Sequence, residues 1–161
     1  MIALGVQMKT CRSIALGMVF AVLACRPGFA ADDAALVRIL TRAYLAHNFA
    51  FYCAQYDHSV IDRTKGESGN MQQLMLHIRG EVVFGLPESE ASMVVVHSAD
   101  AARAGALLAV RKLYGPNPTE ERARLTEWCE NSAVPFIQEL VASHDKDHAS
   151  LDRVIQKAKQ E

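Results

Sequence analysis

The chain has 161 residues, a formal net charge of −1, half of its residues hydrophobic and 22% charged. That balance suits one folded domain with a core and excludes a disordered or strongly polyelectrolyte chain. Basic residues are scattered singly among acids, so nucleic acid, whose binding needs clustered Lys and Arg to displace counterions from phosphates, is not an expected partner.

The first element is a leader. Lys9 and Arg12 precede an apolar run from Ile14 to Cys25, followed by Pro27 and by Gly28-Phe29-Ala30 before Ala31. This order, with small residues at the third-last and last positions, reads as a cleaved secretory signal over 1–30. The run is too short for a membrane helix, which takes about 20 apolar residues. A competing reading takes Val22-Leu23-Ala24-Cys25 as a lipobox, leaving a lipidated Cys25 at the new terminus. Loss of Lys9, Arg12 and Arg26 with the leader shifts the net charge from −1 to −4, which also disfavours an anionic membrane surface. The expected product is a single domain over 31–161, periplasmic or secreted, with no transmembrane segment.

Cys11 and Cys25 leave with the leader, so Cys53 and Cys129 form the single intramolecular pair available. An oxidising compartment favours a structural disulfide there. No Cys-x-x-Cys motif suggests redox chemistry.

Helical periodicity dominates the remainder. Leu36, Ile39, Leu40, Ala43, Ala46, His47, Ala50 and Phe51 recur at three- and four-residue steps and predict a helix over 33–55, with aromatic residues gathered near its end to wrap the disulfide. The polar stretch 64–70, with Gly66 and Gly69, predicts a loop. Met71, Leu74, Met75, Ile78 and Val82 predict a second helix ending near Gly85. Pro87, Glu88 and Glu90 suit the first turn of a third helix running toward Tyr114, whose alanine-rich middle with Gly105 allows close packing. After Gly115-Pro116, the run Asn117-Pro118-Thr119-Glu120 supplies an N-cap, a first-turn proline and a capping-box glutamate for a fourth helix. Its apolar face is Leu125, Cys129, Ala133, Phe136 and Leu140, and Pro135 is expected to kink it. A short last helix over 147–159 has Leu151, Val154 and Ile155 to dock. The expected fold is all-α and four-helix bundle-like, two antiparallel hairpins plus a short C-terminal helix, with one disulfide.

Few motifs carry chemistry. In His144-Asp145-Lys146-Asp147-His148 the two histidines stand four apart, which on one helix aligns both imidazoles for a metal ion. If Asp145 instead caps the last helix, that spacing loses its meaning. His47 interrupts the first apolar stripe, where an imidazole must find a hydrogen bond or a ligand. Met93 with His97, and Met71 with Met75, share helical faces, as a copper(I) site would need, although they lie on or near core stripes. Gly-x-Ser-x-Gly, His-Glu-x-x-His, Glu-x-x-His, phosphate-loop, dinucleotide and haem-attachment motifs do not occur. Nothing selects a catalytic carboxylate pair among Glu67, Glu81, Glu127 and Glu130.

Three functions remain. The leading expectation is an exported accessory or binding protein without catalytic activity, offering a groove lined by Tyr44, Phe51, Tyr52 and Trp128 to an envelope protein or a small apolar ligand. The alternative is a metal-binding protein for copper, zinc or nickel, using His144, His148 and a distant residue such as His47. An unrecognised hydrolase is the third. Convergence of any three of His47, His58, His77, His97, His144, His148 and the methionines separates the second from the others.

Overall fold

The computed structural model describes residues 31–160. The leader reading and the lipidated Cys25 fall outside the described residues. Those residues form an all-α fold with one disulfide and no strand, only an isolated bridge between Gly66 and Gly69. The helices are α1 (Ala31–Ala54), α2 (Ser59–Arg63), α3 (Met71–Val83), α4 (Glu88–Arg111), α5 (Pro118–Trp128), α6 (Val134–Lys146) and α7 (His148–Ala158), and a π-helical turn, Cys129–Ala133, joins α5 to α6.

Helix α1 is the common partner, touching α2, α3, α4, α6, α7 and the π turn. Its stripe buries Leu36, Val37, Leu40, Ala43, Ala46, Ala50 and Cys53. Phe51, expected on that stripe, is instead 62% exposed. The facing side of α4 buries Val94, Ser98, Ala102, Ala106 and Val110, every fourth residue and mostly small. Small side chains let the two backbones approach, and Ser98 Oγ donates to the Val37 carbonyl at 3.2 Å. On length and composition alone, α4 is also apolar enough to cross a membrane, though its every-fourth-residue row lies buried in this fold. Its outer face leaves Met93, Val96, Leu107 and Leu108 exposed.

A second, smaller core surrounds the disulfide. Cys53, Val60, Cys129, Ala133 and Val134 are buried together, with Phe49 and Trp128 against them. Phe49 meets Trp128 edge to face at 4.9 Å and Phe136 at 5.7 Å. Of the aromatic residues near the end of the first helix, which were expected to wrap the bridge, Phe49 packs against this core, joined by Trp128 of α5.

The predicted fourth helix is divided. At its start Asn117 Oδ1 accepts from the Thr119 and Glu120 amides, as its capping sequence implies. Glu120 then binds the Asn117 side chain rather than its backbone amide. Instead of a simple kink at Pro135, the chain makes a π turn in which the Val134 amide donates to the Cys129 carbonyl. One extra residue in the turn moves the buried face on by one position. Leu125, Cys129 and Ala133 are buried as expected, but the row continues as Val134, Ile137, Val141 and His144, while Phe136 and Leu140 are only partly covered.

Two further features depart from the sequence reading. Helix α2 is additional, initiated where Asp57 accepts from the Ser59 amide and hydroxyl. The predicted loop over 64–70 is a tight reversal, with Gly66 and Gly69 exchanging amide–carbonyl hydrogen bonds at 2.9 and 3.0 Å. Gly69 has φ +91°, a conformation glycine takes without a Cβ clash. Asn70 and Gln73 then form a reciprocal capping box that starts α3.

Candidate metal centre

The site is built at the joint between α6 and α7. Helix α6 stops at Lys146, and Asp147 leaves the helical region at φ −154°, ψ 72°. Its carboxylate caps α7 by accepting from the Ser150 amide at 2.8 Å. Asp145 is therefore not the cap. His144 lies in the last turn of α6 and His148 opens α7, so the four-residue spacing spans a helix break rather than one continuous helix. The two rings still meet, nearly perpendicular with centroids 4.1 Å apart, and His144 Nε2 stands 3.2 Å from His148 Nδ1. Two imidazole nitrogens that close either share a proton or face one cation, since two bare lone pairs repel.

Carboxylates flank both rings. The His144 side chain is 2% exposed, and its Nδ1 lies 3.5 Å from Asp145 Oδ1. That is too long for a good hydrogen bond. Both atoms are buried with no hydrogen-bond partner among the described residues. The other Asp145 oxygen accepts from the Glu67 amide at 3.0 Å. Glu67 Oε2 in turn approaches His148 Nε2 to 3.6 Å. The 66–69 reversal thus delivers Glu67, and it fits because Gly66 has no side chain to strike Val141 and Asp145. A third imidazole, His77 on α3, has its ring centroid 5.5 Å from that of His144, at 86°.

Burial favours the neutral form of the inner ring. Burial holds the His144 pKa below the ordinary imidazole value, helped by His148 and His77, while the Asp145 carboxylate pulls the other way. A neutral imidazole has the lone pair that a metal ion requires. His144, Asp145 and His148 each offer a donor atom within 4.8 Å of the others. A cleft of about 460 Å³ lined by Arg42, Ser143, His144, Asp147 and Ser150 opens alongside.

His47, the sequence's distant third ligand, is not in this group. It is half buried on α1 beside a cavity of about 140 Å³, with Phe51, Ile61, Thr64 and Met71. Burial lowers its pKa. His58 stands exposed at the head of α2 and His97 is on α4. Met71 and Met75 are packed in the core.

The groove residues also separate. Tyr44, Phe51 and Tyr52 line a cleft of about 340 Å³ with Asn48 and Arg103. It lies between α1 and α4, not against the predicted fourth helix, and Trp128 is beside the disulfide instead. Among the hydrolase candidates, Glu130 is bound by both terminal nitrogens of Arg63 at 2.8 Å, an ion pair that ties α2 to the π turn. Compared with known proteins, the chain matches no family model, no curated protein and no solved structure.

Sequence reasoning held His77 only among the histidines whose convergence would count, read Asp145 as a carboxylate beside the pair or a helix cap, and gave Glu67 no place in the metal set. His77 sits at an exposed position of its helix, and Glu67 is in a loop. No local pattern connects either to residue 144.

Proposed function

We propose that this chain is an exported helical protein that binds a divalent transition-metal ion at the α6–α7 joint. The carrying observation is the 3.2 Å approach of His144 Nε2 to His148 Nδ1, with the His144 side chain buried. A disulfide between Cys53 and Cys129 supports export, because such bonds persist in oxidising compartments. For the frame we propose a bundle-like arrangement in which α3, α4 and α6 pack around α1, with α7 against α1, α3 and α6. No catalytic role is assigned.

Titration with Zn²⁺, Cu²⁺ and Ni²⁺, followed by calorimetry, tests this. One ion is expected per chain, with binding abolished in a His144→Ala, His148→Ala double variant. Equal affinity in that variant sinks the proposal.

A second reading keeps the accessory role. The α1–α4 cleft with its three aromatic residues, together with the exposed apolar residues of α4, supports an apolar ligand or an envelope protein as partner. Tyr44→Ala and Tyr52→Ala should then weaken binding of an apolar fluorescent probe without changing metal affinity.

A further inference from the structure

Resting on the metal-binding reading, we propose that the ion is held by three imidazoles, those of His77, His144 and His148. Asp145 and Glu67 serve as carboxylates that orient the rings rather than as ligands. The ion is of the borderline divalent class, Zn²⁺ or Cu²⁺.

The nitrogen pattern supports this assignment. With metal–nitrogen bonds of about 2.0–2.1 Å, the edge of a tetrahedral site is about 3.4 Å. The inner nitrogens, His144 Nε2 and His148 Nδ1, are 3.2 Å apart. Both outer nitrogens face carboxylates, Asp145 at 3.5 Å and Glu67 at 3.6 Å. Metal-bound histidines characteristically donate their second N–H to such a group, which fixes tautomer and ring orientation. Each carboxylate therefore lies on the side of its ring away from the shared gap.

Asp145 is committed to that position. One oxygen holds the Glu67 amide, and the other is buried, unpartnered among the described residues and nearest to His144 Nδ1. Binding would draw this oxygen and the imidazole N–H together, which removes two orphaned buried polar atoms at once.

His77 supplies the third nitrogen. It is exposed on α3, its side chain makes no hydrogen bond among the described residues, and its ring stands edge-on to His144. Its ring is therefore able to turn about its side-chain bonds toward the shared gap at little cost. Three imidazoles suit zinc, copper(II) and nickel better than the all-oxygen preference of calcium and magnesium. No thiolate is available for softer ions, because Cys53 and Cys129 are joined to each other. A fourth position stays open on the side where His148 and Glu67 are exposed, with side-chain exposures of 43% and 75%.

The test uses the purified, disulfide-bonded protein with one equivalent of Cu²⁺, read by electron paramagnetic resonance for the number of coordinated imidazole nitrogens. Three are expected in the wild type and two in His77→Ala and His77→Gln, exposed substitutions that leave the core untouched. Zn²⁺ affinity should fall at least tenfold in both. Asp145→Asn and Glu67→Gln should lower it about 10- to 100-fold without changing the nitrogen count. Two nitrogens in wild type and His77 variants alike would overturn the three-imidazole assignment. So would loss of all binding in Asp145→Asn with the His77 variants unaffected, because the carboxylate would then be a ligand. Absence of any bound Cu²⁺ or Zn²⁺ overturns the metal-binding reading itself.

Discussion

Gly66 and Gly80 make opposite predictions from the same substitution. A Cβ on Gly66 would strike Val141 Cγ1 and the Asp145 carboxylate, so both side chains would have to shift. Overpacking of this kind costs about 1–3 kcal/mol. Gly66→Ala should lower the urea midpoint and, by pushing Asp145 off the Glu67 amide, weaken Zn²⁺ binding. Gly80 lies within α3 with nothing within 4 Å of its notional Cβ. Gly80→Ala should stabilise the protein by about 0.5–1 kcal/mol through helix propensity, with Zn²⁺ binding unchanged. His47 makes a pH prediction. Burial lowers its pKa, so the unfolded chain binds a proton more readily than the folded one. Stability is therefore complete above the ordinary imidazole value near 6.5 and is lost as pH falls through it toward the lower folded value. In the metal-free protein the urea midpoint should drop between about pH 7.5 and 5.5. His47→Gln should flatten part of that drop, His144 supplying the rest in the same direction. An unchanged slope in His47→Gln would remove His47 from the account.

At the scale of elements, one side chain caps the α6–α7 joint. Asp147 satisfies the first turn of α7, and the helix docks through Ile155, which is fully buried, and the partly buried Leu151. Val154, expected to dock beside them, is 50% exposed. Asp147→Ala should cost about 1 kcal/mol, chiefly as fraying at the start of α7. Hydrogen exchange should rise over residues 148–152 with α5 and α6 unaffected, and Zn²⁺ affinity should fall because His148 opens that turn. Added Zn²⁺ should slow the same exchange in the wild type. Helix existence was legible throughout the long segments because their apolar stripes have a period of 3.6, and the Asn117-Pro118 start was legible because capping is local. Two boundaries escaped for a physical reason. Helix α2 has a single buried residue, Val60, which leaves no stripe to see. The π turn appears in sequence only as Pro135, and a proline announces a lost hydrogen bond without saying how the chain will absorb it. The histidine pair was legible as a spacing, yet its flanking groups come from a turn 78 residues away, at Glu67, and from α3. Such contacts exist only after the helices pack.

For the whole molecule, the disulfide and the proposed metal centre are set apart along one rod, the bridge at the π turn in its middle and the histidine pair at its C-terminal end. Cys129 and His144 are 15 positions apart, which at a helical rise of 1.5 Å per residue is about 22 Å. The bridge closes a loop with a sequence separation of 76. The chain-entropy model assigns such a loop roughly 4–5 kcal/mol, relative to a denatured state without the link. The measured loss in a Cys53→Ala, Cys129→Ala variant should be smaller if denatured chains retain helical contacts. It should also be local first. Outside the bridge, the small core holds only Val60, Ala133 and Val134 with the rings of Phe49 and Trp128, whereas the main core draws on α1, α3, α4, α6 and α7. Amide exchange should therefore rise over α2 and the π turn before the main core opens. Below the new urea midpoint, Zn²⁺ affinity should stay within a few-fold of wild type, because His144, His148 and His77 rest on the main core rather than on the bridge. Loss of metal binding in a variant still folded by circular dichroism would show that α6 transmits strain along its length, and would join the two sites into one cooperative unit.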